Sequence, residues 1–215
     1  MSTNRDRKRQ TYPNQRSKVS VPSELIWSLI GLLLTIFSTF VSASIINPPW
    51  SWANSGIASH DLGVTYQIGA VLLTGCLGGK NAGLLAQVAY IFLGLTWLPV
   101  FAKGGGWEYL QEPGFGYILG FMPGAWVCGW LAFKTRMKLE TLALSAVSGL
   151  LIIHLCGLLY LLALCFINWQ HSSKGFLTEL SNSVMNYSII PFPGQLVVVF
   201  TIVIIAFSFR KLLFY

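Results

Sequence analysis

The sequence is poor in charged residues. Only 10% of its 215 residues are Asp, Glu, Lys or Arg, whereas soluble domains carry about 25%. At the same time 54% of the residues are hydrophobic, which is more apolar surface than a soluble domain can bury. These two observations exclude a soluble globular protein. They predict an integral membrane protein whose length suits one compact domain.

Motifs of common enzymes are also missing. The sequence contains no Walker A, HExxH, GxSxG or dinucleotide-binding motif. Its apolar segments contain no pair of carboxylates, and none of its four cysteines has CxxC spacing. We therefore expect no enzyme activity, no metal and no cofactor. His154 lies within an apolar segment, where it is either a hydrogen-bonded polar group of the bundle or a functional group.

Apolar segments long enough to cross a bilayer follow one another along the chain. They have no alternating polar and apolar pattern, which argues against a β-barrel. We predict an all-α membrane protein with six transmembrane helices in residues 23–215, preceded by a basic and disordered cytoplasmic tail in residues 1–22. The predicted spans are Leu25–Ile46, Leu62–Gly79, Ala82–Phe101, Phe115–Phe133, Thr141–Ile167 and Tyr187–Phe209.

The positions of the basic residues predict the orientation. If both termini are cytoplasmic, twelve of the fourteen Lys and Arg residues lie on the cytoplasmic side and only Lys103 and Lys174 lie outside. This distribution follows the positive-inside rule. The net charge of +7 is therefore explained by membrane topology, and we expect a lipid bilayer as partner and no nucleic acid. The predicted location is the plasma membrane, with several passes.

The longer and richer loops then all lie on the outer side. The most unusual stretch is Leu98–Phe121, which contains the glycine run Gly104–Gly106 and several aromatic residues. Glycine lets backbone approach a ligand closely, and aromatic rings offer large contact area with a polar tip. The stretch is either part of a binding site at the outer ends of the helices or a turn with aromatic anchors at the membrane interface.

Small residues recur at helical spacing in several segments. Gly116, Gly120 and Gly124 form one such row, and small rows allow close helix packing in lipid. A similar row in the first helix consists of Thr35, Thr39 and Ala43. This second row either packs inside the bundle or faces another subunit.

The order of motifs between Gly63 and Val199 resembles the BioY family, the biotin-specific S components of energy-coupling factor (ECF) transporters. The Gly63–Gln67 segment is similar to the family's PxTxQ motif. The motifs YxxxG, LPVFA and GGG follow in the family's order, and the next stretch is similar to GPTGGYLxGF. In this chain they are Tyr90–Gly94, Leu98–Ala102, Gly104–Gly106 and Pro113–Phe121.

The resemblance implies a six-helix S-component bundle that captures biotin from outside. It also implies partners, namely a transmembrane T component and two ATPase subunits on the cytoplasmic side. The family's ligand contacts map to Tyr90, Gly104, Gly105, Gly106 and Tyr117 in this chain, and to Thr65 and Gln67.

The last helix departs from the family pattern. Where the family has PGDxxK, this chain has Gln195 at the Asp position and Val198 at the Lys position. Gln195 still offers an acceptor and two donors for a ureido ring, so we include it in the predicted site. Lys103 is either a partner for the ligand's carboxylate or a solvated interface lysine.

Two other functions stay open. The same scaffold could bind a biotin precursor or another small vitamin-like molecule, or the chain could be a membrane protein that transports nothing. The first helix also lacks the family's Ala-xxx-Ala contact for the T component, and its threonine row is a possible substitute.

Overall fold

The computed structural model describes residues 21–134, 137–168 and 175–214. The predicted tail lies outside this part of the chain, apart from its last two residues, and so do Arg136, His171 and Lys174. The chain is mostly helical. The helices are α1 (Val21–Thr39), α2 (Trp52–Ser55), α3 (Gln67–Thr96), α4 (Phe115–Lys134), α5 (Leu139–Asn168), α6 (Phe176–Val184) and α7 (Phe192–Phe214).

Five helical segments in the described residues are long and apolar enough to cross a membrane. They comprise α1, α3, α4, α5 and the continuous region Phe176–Leu213 that includes α6 and α7. Their outward-facing side chains are large and apolar: on α1, for example, Leu25, Leu29 and Phe37 are all exposed. Such surfaces suit contact with lipid rather than with water.

The prediction of an all-α protein is wrong in one region. The apolar run predicted to span from Leu25 to Ile46 leaves the helix after Thr39, and strand β1 (Ser42–Ile46) pairs with β2 (Ser59–Thr65) in an antiparallel sheet. Ile45 lies opposite His60 in this pair. Several β-branched residues in both segments favour the extended chain, and Pro48 and Pro49 prevent a helix from continuing through the connection.

Helix α3 turns back on itself at Gly79. This residue has φ 82° and ψ −177°, a conformation that essentially only glycine adopts. The Gln67 side chain donates to the Tyr90 hydroxyl at 2.9 Å, although 23 residues separate the two. A straight helix would place them about 35 Å apart. The two halves of α3 therefore run antiparallel, one on each side of Gly79.

The small residues pack inside the bundle, as predicted for the glycine row. A Cβ at Gly116 or Gly120 would overlap Tyr160 or Ile153 of α5, so these glycines set the distance between α4 and α5. The threonine row of α1 also faces inward: Thr35 and Thr39 are buried. The alternative that this row faces another subunit is therefore wrong.

Candidate functional site

A cavity of about 550 Å³ opens at one end of the bundle. Its size falls within the range of about 300–1,000 Å³ that is usual for small-molecule sites. The walls come from β2, the start of α3, the loop between α3 and α4, the start of α4, and the segment that leads into α7. The lining residues include Thr65, Gln67, Ile68, Ala102, Lys103, Tyr109, Glu112, Tyr117, Ile118, Phe121, Asn186, Tyr187, Pro191 and Gln195.

The glycine run shapes the loop beside the cavity and does not line it. Gly106 has φ 90° and ψ 174°, again a conformation restricted to glycine, and its N–H donates to the Gly94 carbonyl at 2.8 Å. A Cβ at Gly105 would lie 2.6 Å from the Gly94 oxygen. The run therefore packs against the end of α3, and its neighbour Lys103 reaches the cavity instead.

An ion pair stands at the mouth of the cavity. Lys103 Nζ lies 2.7 Å from Glu112 Oε2, and both side chains are partly exposed. The hydrogen bond that Lys103 donates to Glu112 raises the pKa of the lysine above its ordinary value, so the lysine stays cationic. Burial raises the pKa of the neighbouring Tyr109. The Tyr109 ring rests on Phe101 at a centroid distance of 4.6 Å, which holds this part of the loop in place.

One wall carries a glutamine held from behind. Tyr90 is fully buried; its hydroxyl donates to the Val100 carbonyl at 3.0 Å and accepts from Gln67 Nε2 at 2.9 Å. Thr39 of α1 approaches the same hydroxyl at 3.2 Å. Gln67 itself lines the cavity. Tyr90 thus acts behind the wall, where it holds the amide of Gln67.

A second hydrogen-bonded group lies behind Tyr117 and Gln195. Gln195 Oε1 lies 2.7 Å from His154 Nε2, and His154 Nδ1 lies 3.2 Å from the Ser188 hydroxyl. The Ser188 oxygen is 2.5 Å from the Tyr117 hydroxyl. All four residues are buried, while Tyr117 and Gln195 also line the cavity. The prediction that His154 is a hydrogen-bonded group of the bundle is confirmed.

The predicted site residues divide into two groups. Those that the structure brings together around the cavity are Thr65, Gln67, Lys103, Tyr117 and Gln195. Those that lie outside its lining are Tyr90, Gly104, Gly105 and Gly106. The residue at the family's Lys position, Val198, is buried against Gly69 and is also absent from the lining. Ligand contact itself stays a prediction for every one of these residues.

Several lining residues had no signal in the sequence. Asn186 and Tyr187 belong to a π-helical turn, Met185–Ile189, that joins α6 to α7. The Tyr187 ring stacks on Tyr117 at a centroid distance of 6.3 Å. A π-helical turn often marks a functional site, but a sequence pattern does not reveal it. Within the described residues, no group of three or more His, Cys, Asp or Glu side chains could hold a metal ion.

Comparison with known families gives a match over nearly the whole chain. The model of the BioY family matches residues 14–214. A protein from Cyanophora paradoxa, described as an uncharacterized 21.2 kDa protein in the psbX-ycf33 intergenic region, is 31% identical over 190 residues. That alignment covers 88% of this chain and 95% of the relative.

Two relatives described as biotin transporters match over shorter regions. The biotin transporter BioY of Thermotoga maritima is 43% identical over 98 residues, which cover 45% of this chain and 57% of that protein. The probable biotin transporter BioY of Lysinibacillus sphaericus is 37% identical over 125 residues. That alignment covers 56% of this chain and 64% of the relative.

A solved structure has the same fold. The crystal structure of the S-component for biotin from an ECF-type ABC transporter aligns with a TM-score of 0.63. The alignment covers 88% of this chain and 92% of that one, at 19% sequence identity. At this identity the likeness concerns the fold, and the ligand has to be argued from the side chains of the cavity.

Proposed function

The chain belongs to the BioY family, and we propose on this premise that it captures biotin for uptake by an ECF-type transporter. It is a multi-pass protein of the cell membrane. The observation that carries the proposal is the cavity of about 550 Å³, whose lining includes amide and hydroxyl groups and a lysine. Membership of a transporter family implies a binding role rather than an enzymatic one.

The chemistry of the lining suits biotin. Biotin has a neutral cyclic urea, an apolar sulfur ring and a chain that ends in a carboxylate. The amides of Gln67 and Gln195 supply partners for the urea, and Ile118 and Phe121 supply apolar surface. Lys103 at the mouth, which also pairs with Glu112, supplies a positive charge that the ligand carboxylate shares. A mostly apolar pocket with a few placed polar groups is typical of small-molecule sites.

The same proposal includes six membrane spans with both termini in the cytoplasm. It takes the two antiparallel halves of α3 as separate crossings on either side of Gly79. The basic residues support this orientation, because Lys80 and Lys134 lie over Trp126 and Trp130 at the end of the bundle away from the cavity. The positive-inside rule then puts the cavity on the outer face.

The partners follow from energetics and from the family. Uptake against a gradient needs a source of free energy, and the sequence has no Walker A motif of its own with which to hydrolyse ATP. We therefore propose that the chain works with a T component and two ATPase subunits. An uptake assay with labelled biotin tests this: accumulation should require the partner subunits, and accumulation by the chain alone would contradict it.

Calorimetric titration of the purified full-length chain with biotin tests the ligand. We expect saturable binding with a dissociation constant far below 1 mM, and binding no tighter than millimolar by a folded sample would reject biotin. A biotin precursor is titrated in parallel, since a precursor that binds more tightly would make it the natural ligand. The variant Gln195→Asp, which restores the family residue, is titrated with biotin as well. Val198→Lys is not added, because it would place an unpaired charge at a buried position, which would be costly.

A further inference from the structure

With the Gln195 amide oriented as it is in the structure, the hydrogen bonds behind it run in one direction. Gln195 Oε1 is an acceptor, so the 2.7 Å contact requires that His154 Nε2 carries the hydrogen. The His154 ring packs edge-on against Tyr117 and Phe192, at centroid distances of 5.6 and 5.2 Å. Among the described residues no carboxylate bonds to it. These surroundings favour the neutral ring, whose Nδ1 is then an acceptor.

The direction continues through Ser188 to Tyr117. Because His154 Nδ1 accepts, the Ser188 hydroxyl donates its single hydrogen to the ring in the 3.2 Å bond. The 2.5 Å contact between Ser188 and Tyr117 must then be donated by the tyrosine. Tyr117 therefore has no hydrogen left for the cavity and presents only the lone pairs of its oxygen there.

The result is a defined polarity at the surface of the cavity. With Gln195 Oε1 held by His154, the amide nitrogen of Gln195 remains as a donor, and it has no other partner in the part of the chain that the structure describes. At Gln67 the polarity is opposite, because Tyr90 accepts from Gln67 Nε2 and leaves Gln67 Oε1 as an acceptor. The lining thus offers a donor at Gln195 and acceptors at Tyr117 and Gln67.

We infer that His154 is the positioning residue that determines the specificity of this cavity, because it fixes which end of the Gln195 amide meets the ligand. The group that this arrangement selects is a neutral cyclic urea. Its carbonyl oxygen accepts from Gln195 Nε2, and its N–H groups donate to Tyr117 Oη and Gln67 Oε1. The inference rests on the proposed function and goes beyond it by assigning a role to a residue that does not line the cavity.

The probe that tests it is a pair of ligands that differ only in the urea group. Biotin is compared with 2-iminobiotin, whose guanidine is protonated near neutral pH, so a cationic group with only N–H donors replaces the urea and the Gln195 donor loses its acceptor. We expect the full-length wild-type chain in detergent to prefer biotin by roughly 10- to 100-fold in calorimetric titration, because a buried donor without a partner is costly. With His154→Phe the Gln195 amide can rotate and present its oxygen to the ligand, and the ratio of the two affinities should fall severalfold.

Two further variants make the test independent of one substitution. Gln195→Glu replaces the donor by a second acceptor and should reverse the preference toward 2-iminobiotin. Ser188→Ala removes the partner of His154 Nδ1 and should lower the ratio severalfold. Ser145→Ala is the matched control. Ser145 is buried on α5, the helix of His154, and its hydroxyl donates to the Thr141 carbonyl one turn earlier. This control should keep the wild-type ratio.

Each outcome decides between the two proposals. If the wild type binds biotin and folded His154→Phe and Ser188→Ala variants keep its ratio, the positioning role is overturned and the proposed function stands. If the wild type binds neither compound, the proposed function fails and the positioning role fails with it. If the preference for biotin over 2-iminobiotin falls in both variants but not in the control, the inference is supported. Gel filtration and thermal unfolding identify any variant that has not folded, and Ser188→Ala then decides alone.

Discussion

Replacing Gly105 by alanine should disturb the cavity although this residue does not line it. A Cβ at this position would lie 2.6 Å from the Gly94 oxygen, 2.9 Å from the Leu98 oxygen and 3.0 Å from Pro99 Cα. All three atoms belong to the backbone, so no side-chain rotation can relieve the overlap. The end of α3 and the loop must separate, and the loop carries Lys103 at the mouth of the cavity.

The expected cost has two parts. Overpacking of this kind costs about 1–3 kcal/mol. The separation also strains the 2.8 Å bond from the Gly106 N–H to the Gly94 carbonyl, and a lost hydrogen bond adds about 1 kcal/mol. We therefore expect the free energy of unfolding to fall by roughly 2–4 kcal/mol. Biotin affinity should fall about tenfold as the loop moves, a factor that corresponds to about 1.4 kcal/mol.

The two neighbouring glycines allow the cause to be separated. Gly104 and Gly106 have open space where the methyl group of an alanine would lie, but they have positive φ values of 113° and 90°, so alanine there costs about 1–3 kcal/mol of backbone strain. Gly175→Ala is the control, because this residue has open space and a φ of −56°. Thermal unfolding and biotin titration of the four variants make the comparison. If Gly105→Ala behaves like Gly175→Ala in both assays, the reasoning is refuted.

Three further predictions concern the walls and the mouth. Tyr90→Phe removes the hydroxyl that accepts from the Gln67 amide and should weaken biotin binding by about 1–2 kcal/mol. Unchanged affinity in titration would contradict this. Gly157→Ala places a methyl group 2.4 Å from the Tyr117 ring; the ring must move, and titration should show at least a roughly tenfold loss of affinity. Glu112 raises the pKa of Lys103, so the lysine stays charged below about pH 10. The contribution of this ion pair to stability is lost only as the pH rises through the raised pKa. The contribution of Lys103 to biotin affinity is measured as the difference between wild type and Lys103→Met. This difference should be constant from about pH 6 to pH 9.

The sequence is sufficient to predict most of the apolar helices and some of the residues that line the cavity near their starts. Tyr117 and Gln195 lie near the starts of α4 and α7, and the predicted spans place the starts of these helices at the same end of the bundle. Apolar length and the position of basic residues determine such coarse features. The family motifs then identify which residues at that end are of interest.

Other features depend on contacts between distant residues, and the sequence does not reveal them. A glycine run has the same appearance whether it touches a ligand or the end of a helix, and Gly105 touches a helix end. An apolar segment that continues past Thr39 has the composition of a longer helix, yet its last residues pair with β2. The role of Tyr90 depends on a partner 23 positions earlier in the chain, which local spacing cannot show.

The two hydrogen-bonded groups behind the cavity have a consequence for motion. One connects α1 with both halves of α3, and the other connects α4, α5, the π-helical turn and α7. Among the described residues these two groups share no side chain. A molecule that contacts both Gln67 and Gln195 would connect α1 and α3 to α4, α5 and α7. The ligand-bound protein should therefore open less often at this end than the ligand-free protein.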